Sequence, residues 1–302
     1  MTKETGIPVK GIVPYLFILP VLVGVGVFGF GALSYIVYLS FHESSLIGTS
    51  KFVGFSNFIS VFQNEWFLVS FLHTMMYAAV YVPLSTIFGL FLGSLMSKKV
   101  PGGVFFRFIY LLPWVSSAVI IALLFRYILN PEWGLVNYVL RAVGLKAVAF
   151  TQTPGAIVTV VASISAWQCM GFGMILFMSA IRSIPEQVYD AASIDGAGSI
   201  RTFVSITLPL IKPVLLFFLI YAIINAFQVF DAIYIFCEGV PSMQWALDFN
   251  SLGLTCSYFI YLIAFRRFAF GQASAMAIIM FLFVVMIVVL GKKATRSEEA
   301  IF

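Results

Sequence analysis

Charge is scarce in this sequence. Lys, Arg, Asp and Glu make up 10% of its 302 residues, and 62% are hydrophobic. Soluble domains carry about a quarter charged residues, so lipid must solvate most of this chain. Cysteine is almost absent as well. Cys169, Cys237 and Cys256 show no paired spacing, which argues against a disulfide framework or a zinc site. The two histidines, His42 and His73, stand far apart and read as packing or interface residues. No carboxylate pair and no Ser/His/Asp set points to catalysis. There is no phosphate loop of the Gly-x-x-x-x-Gly-Lys-Ser/Thr type, so the chain supplies no nucleotide site of that kind. The stretch GVGVFG, Gly24 to Gly29, has the spacing of a dinucleotide fingerprint. It lies inside an apolar run with no strand–turn–helix context, so close helix packing explains it better. The same holds for Gly89 to Gly93. The net charge of +5 gives no case for nucleic acid, because membrane proteins use Lys and Arg to set orientation.

Long apolar runs are what the sequence has in abundance. Six stand out, at about 12–40, 70–96, 105–129, 155–181, 208–237 and 270–291. Each is long enough to cross about 30 Å of hydrocarbon as a helix, and only helices satisfy their backbone groups there. We number these spans one to six. The first ten residues are polar and the run after them is too long for a secretory signal, so span one is expected to be retained. The shorter run at 252–265 reads as a re-entrant or surface helix in preference to part of a seventh span. With the N-terminus in the cytoplasm, eleven Lys and Arg fall inside and six outside, which favours both ends being cytoplasmic. The expected division is a tail at 1–11, a membrane domain at 12–291 with core spans at about 70–291, and a second tail at 292–302.

Between spans four and five lies a segment too polar to insert, residues 183–207. Its start, SIPEQVYDAASIDGA, predicts a short helix. Ser183 can cap it, Pro185 suits its first turn and Glu186 its positive end. Gly196 can end it. A second helical stretch, SIRTFVSITLP, is expected to follow, with Pro209 and Pro213 opening span five. A plain surface loop is the simpler reading; small side chains also let a partner surface come close.

The stretch IPEQVYDAASIDGAGSIRTFVSITLPLIKP, Ile184 to Pro213, resembles the signature loop of ABC importer permeases. An acidic residue, two alanines, Asp-Gly-Ala and later Ile-x-Leu-Pro recur here as Asp190, Ala191, Ala192, Asp195, Gly196, Ala197, Ile206, Leu208 and Pro209. The family's first acidic residue is usually Glu, and here it is the shorter Asp190. The resemblance extends over most of the chain through PYLFILP, FVGFSNF, FRFIYLLP, GLVNYVL and FGQASAMA. These look like the carbohydrate-uptake branch, as in maltose and glycerol-3-phosphate permeases. The family often has Thr-x-Gly-Gly-Pro after span five, whereas this chain has CEGVP.

The resemblance implies an all-α integral membrane protein of the type I importer permease fold. It implies about six transmembrane helices and a cytoplasmic coupling helix, with Glu186, Tyr189, Asp190, Ala191, Ala192, Asp195, Gly196 and Ala197 facing an ATPase. The implied function is ATP-driven import of a sugar, oligosaccharide or polyol across a bacterial inner membrane, by alternating access. The implied partners are a second permease subunit in a heterodimer, two cytoplasmic ATPase subunits and an extracytoplasmic solute-binding protein. ATP and Mg would be held by the ATPase, and this chain would carry no cofactor.

Polar groups inside spans are functional candidates. Span five offers Tyr221, Asn225 and Gln228, which share one helix face by their i, i+4, i+7 spacing, and Asp231 beyond them. Their simpler reading is interhelical hydrogen bonding. Span four offers Trp167, which can stack on a sugar ring or fill a helix interface. By resemblance, Ser165, Gln168, Cys169 and Phe172 fall on sugar-contacting positions, as do Tyr221, Asn225 and Gln228. The alternative function is an ion-gradient-driven secondary transporter in which Asp231 is the ion site.

Overall fold

The computed structural model describes residues 13–44, 50–98, 100–150, 156–237 and 253–299. They fall into two compact units, Met1–Gln63 with Leu262–Ile279, and Asn64–Tyr261 with Met280–Phe302. Five helices are long and apolar enough to cross a membrane: Tyr15–Ser40, Glu65–Ser97, Ala156–Arg182, Lys212–Cys237 and Phe270–Gly291. They are spans one, two, four, five and six.

Span three departs from expectation. The run at 105–129 is not one straight helix but a pair, Gly103–Val115 and Ala118–Ile128, bent by 93°. Ser116 and Ser117 both take extended backbone angles at the break. Pro113, one turn earlier, has no N–H to give the helical ladder. Ser116 then closes the first helix with its own groups: its N–H reaches the Leu112 carbonyl at 3.1 Å and its hydroxyl donates to the same oxygen at 2.8 Å. Serine's capacity to bond nearby backbone groups is what makes it a weak helix interior and a good helix end.

In the second unit, spans two and four lie against each other, and glycine sets how near they come. A Cβ on Gly89 would sit 3.0 Å from the Gly173 Cα, and one on Gly93 would sit 2.8 Å from the Phe177 Cβ. Small residues let membrane helices approach this way, so the packing reading of Gly89–Gly93 holds. Leu92, Met96 and Met174 form the buried core beside that contact. The ends of span two are closed by side chains. Asn64 accepts from the Trp66 N–H at 3.0 Å, and Arg182 of span four donates to the carbonyls of Met96 and Ser97. A guanidinium suits the last turn, where carbonyls lack partners and the helix dipole is negative.

In the first unit, span one carries a π-helical segment, Val25–Gly31. Nothing lies within 4 Å of a Cβ built on Gly24 or Gly26, and Gly29 meets only Val25 of its own helix. Among the described residues, therefore, the packing read into GVGVFG is not made. After span one, His42–Glu43 pairs antiparallel with Lys51–Phe52, a small ribbon that the expectation of an all-helical chain omitted. His42 stacks on Tyr38 at 4.0 Å. The helix Ser56–Gln63 follows. Buried Asn57 donates to the carbonyls of Ser40 and His42 and so pins span one's end to the ribbon.

The run at 252–265 forms the helix Cys256–Tyr261 and a π-helical continuation, Leu262–Arg266. At ~1.5 Å per residue this is far too short to cross, and Cys256, Tyr258, Phe259, Ile263 and Ala264 are buried, so it is not the surface helix that the sequence also allows. Residues 238–252, including most of the CEGVP departure, lie outside the described residues. The helix of span six runs on to Glu299, so the tail expected from 292 begins as helix.

Candidate transport pathway and coupling loop

Span four presents its polar and aromatic residues to three other spans. Phe172 is the centre. Its ring stacks on Trp114 of the bent pair at 5.0 Å and 12°, and meets Tyr221 of span five at 4.8 Å. One turn earlier, the Cys169 thiol stands near the Tyr81 hydroxyl of span two, and another turn back the Ser165 hydroxyl stands near that of Tyr77. Tyr77 and Tyr81 stack at 5.5 Å and are almost wholly buried. The Tyr221 hydroxyl interacts with the side chains of Trp114 and Asn225. Five groups from the sequence reading thus come together: Ser165, Cys169, Phe172, Tyr221 and Asn225.

Tyr77, Tyr81 and Trp114 join them without having been singled out. The two tyrosines had a signal in the sequence. Membrane tyrosines favour the interfaces, and a pair at i, i+4 in the middle of a 33-residue helix is out of place there. Trp114 had none, because its partnership depends on the bend at Ser116.

The remaining candidates are placed otherwise. Trp167 points to Phe125, edge to face at 5.5 Å. Gln168 donates from Nε2 to the Ser116 carbonyl at 3.1 Å, a group left open by the helix break, so here its amide serves backbone. Asn225 donates to the Tyr221 carbonyl at 2.8 Å, within its own helix. Span five pauses after Phe227: Gln228 caps Lys212–Phe227 and is exposed. Asp231 starts the next helix, Asp231–Cys237, in its first turn, where a carboxylate is favoured by the helix dipole.

The loop between spans four and five forms the expected helix, Glu186–Ile194, and ends it as glycine allows. Gly196 has φ +73°. The Ala197 N–H reaches the Ala192 carbonyl at 2.9 Å and the Gly196 N–H reaches Ser193 at 3.1 Å. That pair of bonds is a Schellman motif. The start differs from expectation. Pro185, not Ser183, holds the N-cap position; the Ser183 hydroxyl donates to Ala180 at 2.7 Å, completing the previous helix. The second stretch is helical over Ser199–Leu210 with a π-helical middle. Tyr189 and Ala192 face inward: the Tyr189 hydroxyl meets that of Thr207 at 3.2 Å and Ala192 is buried. Glu186, Asp190, Ala191, Asp195 and Gly196 are exposed and Ala197 is half-buried. Two large apolar side chains flank them in the open, Ile194 at 86% exposure and Ile200 at 82%. Nothing lies within 4 Å of a Cβ built on Gly196 or Gly198.

The chain is similar to known proteins over most of its length. The trehalose/maltose transport system permease protein MalF of Thermococcus litoralis is 32% identical over 289 residues, 94% of each chain. The sn-glycerol-3-phosphate transport system permease protein UgpA of Yersinia pestis is 30% identical over 277 residues, 90% of each. A crystal structure of a bacterial ABC transporter involved in the import of the acidic polysaccharide alginate shares the fold. Its TM-score is 0.82 at 24% identity, over 94% of this chain and 95% of that one. The profile of binding-protein-dependent transport system inner membrane components matches residues 85–294. The matched region includes the bent pair, Trp114, Phe172 and Tyr221 of the aromatic cluster, and the Schellman-closed loop, and the chain belongs to that family, as a multi-pass permease subunit of an ABC transporter.

Proposed function

We propose that this chain is one of two different permease subunits of an importer that carries a carbohydrate across a bacterial inner membrane, with both chain ends in the cytoplasm. The observation that carries the substrate class is the mid-bundle cluster around Phe172. It combines stacked aromatic faces with the hydroxyls of Ser165, Tyr77, Tyr81 and Tyr221. Sugar rings offer apolar faces to aromatic rings and hydroxyls to hydrogen-bonding groups, and few other nutrients ask for both at once. Relatives named for trehalose, maltose and glycerol-3-phosphate transport support the same class. Family membership displaces the ion-driven alternative, and the place of Asp231 at a helix start accounts for its charge without an ion.

Energy enters through the loop. Exposed Ile194 and Ile200 beside the open backbone of Gly196 and Gly198 form a surface that a cytoplasmic ATPase subunit can cover. Burying such apolar groups is favourable, and the Schellman motif holds the backbone ready for contact. Two such subunits bind ATP and Mg. Their closure moves the helix Glu186–Ile194, and spans four and five follow, opening the pathway to a solute-binding protein outside; hydrolysis returns it. A solved relative carries such a protein: an alginate transporter in complex with an alginate pentasaccharide-bound periplasmic protein.

The test is purification of the tagged chain in mild detergent, followed by reconstitution. A co-purifying ATPase and second permease, with ATP-dependent uptake of radiolabelled maltose, trehalose or glycerol 3-phosphate, is the expected result. Uptake of none of them, or uptake by the chain without an ATPase, overturns the reading.

A further inference from the structure

The first unit contains a cavity of about 280 Å³ unlike the rest of this greasy chain. Seven of its eleven lining residues carry polar side chains. Two are of opposite charge, Glu43 and Arg267, in a sequence with only 10% charged residues. Ser44, Ser56 and Ser60 add hydroxyls, and Asn57 and Gln272 add amides. These groups come from three stretches, 43–44, 56–60 and 267–272, the last more than 200 residues along the chain from the others. Folding gathers them.

The walls are built firmly. Asn57 is buried and its Nδ2 holds two carbonyls, at 2.8 and 3.0 Å. The Phe270 N–H donates to the Ser44 carbonyl at 3.1 Å and so joins two of the three stretches. Gly271 cannot be any other residue, since a Cβ there would meet the His42 carbonyl oxygen at 2.1 Å. Phe268, beside Arg267, has φ +56°, a left-handed backbone that non-glycine residues rarely adopt and that clusters at ligand sites.

We propose that this cavity is an outer binding subsite for a single neutral sugar ring, which rests on the carbohydrate reading above and narrows it. The chemistry selects among ligands. A divalent cation asks for several oxygen ligands, carboxylates prominent among them, and Glu43 is the one carboxylate among the described residues of the lining. A phosphate or a uronate brings negative charge to a lining where Glu43 offsets Arg267. A neutral ring with vicinal hydroxyls both donates and accepts at each position, and the carboxylate, the guanidinium, the Ser44 and Ser56 hydroxyls and the Gln272 amide together offer both kinds of partner, while Asn57 Nδ2 and the Ser60 hydroxyl proton are already bonded to backbone. The volume of about 280 Å³ falls just below the ~300–1,000 Å³ common for small-molecule clefts, which suits one ring and not an oligosaccharide. With the N-terminus in the cytoplasm, residues 41–63 and 267–269 lie outside, where substrate arrives.

The experiment uses the complete importer with its partner subunits in lipid nanodiscs, without solute-binding protein. Binding of methyl α-D-glucopyranoside, galacturonate and glycerol 3-phosphate is measured by equilibrium dialysis. Uptake of radiolabelled sugar is measured in parallel on vesicles that carry the binding protein. The neutral ring is expected to bind at least ten times more tightly than either anion. Glu43→Gln with Arg267→Gln is expected to weaken it at least tenfold while the melting midpoint stays in place. If that double variant does not fold, Gln272→Leu, which keeps both charges, is expected to weaken binding severalfold. Unchanged binding in a folded variant while sugar uptake persists overturns the subsite and leaves the carbohydrate reading standing. Loss of solute-binding-protein attachment with sugar binding intact also overturns it, and makes the cavity a protein socket. Absence of any sugar uptake by the unaltered importer overturns both readings.

Discussion

The loop at 184–213 and the cluster around Phe172 are built on opposite plans. In the loop, the groups turned outward include large apolar side chains, Ile194 and Ile200, while the backbone is closed by its own hydrogen bonds. In the bundle, polar groups are turned inward, and three pairs meet across spans: Tyr77 with Ser165, Tyr81 with Cys169, Tyr221 with Trp114. The loop is a local structure waiting for a foreign surface. The cluster exists only because four spans converge. A change in the loop should therefore disturb coupling and spare the fold, whereas a change in the cluster should disturb substrate handling and stability together.

The sharpest way to break that contrast is Gly196→Leu. A left-handed backbone costs a non-glycine residue about 1–2 kcal/mol, and the side chain also fills the space above the loop. ATP-driven uptake is expected to fall to background, with chain abundance nearly unchanged and the melting shift no larger than that backbone cost. Gly196→Asn, which tolerates the left-handed region far better, is expected to keep a measurable fraction of uptake. A loss of fold in both would mean that the loop is part of the scaffold. Gly171→Ala tests the other side. A Cβ there would stand 2.2 Å from the Tyr110 carbonyl oxygen, so the melting curve is expected to reflect roughly 1–3 kcal/mol of lost stability, the usual size of overpacking.

Phe172→Ala removes the ring between Trp114 and Tyr221. Aromatic pairs contribute about 0.5–1.5 kcal/mol beyond area burial, so the half-saturating sugar concentration for uptake is expected to rise by up to about tenfold, with ATPase subunits still attached. Tyr77→Phe with Ser165→Ala should form a non-additive pair in a double-mutant cycle, coupled by about 0.6–2 kcal/mol as interhelical hydrogen bonds are. Additive losses would separate Tyr77 from the cluster. Gln168→Leu should be the mildest. It strips one bond, of about 1 kcal/mol, from the Ser116 carbonyl. If Gln168 serves the break and not the substrate, stability drops slightly and sugar selectivity stays as it was.

The loop was the most legible part. Its helix, its glycine stop and its second helical stretch all follow from residues within about twenty positions of one another, because caps and turns are short-range chemistry. Even so, Ser183 as cap was misread, since the preceding helix claimed its hydroxyl. The five straight spans were equally plain, because apolar length alone specifies them. The bend at Ser116 was not. Ser116, Ser117 and Pro113 are tolerable inside a membrane helix, and what makes the break affordable is Gln168, 52 residues away, bonding the released carbonyl. Trp114 and the tyrosine pair became visible for the same reason, through neighbours that chain order does not supply.

By itself, then, the sequence determined the solvent of this protein, the approximate limits of five of its spans, the family signature of its loop and the glycine on which that loop turns. Each is a matter of composition or of hydrogen bonds within a few residues. Only the tertiary structure decided which faces of the spans meet, that Gln168 serves a helix break while Cys169 and Phe172 enter the cluster, and that Glu43 and Arg267 line one cavity. Those outcomes depend on the rotation and bending of packed helices. A difference of one residue turns a helical side chain by about 100°, and neighbours far along the chain set that rotation.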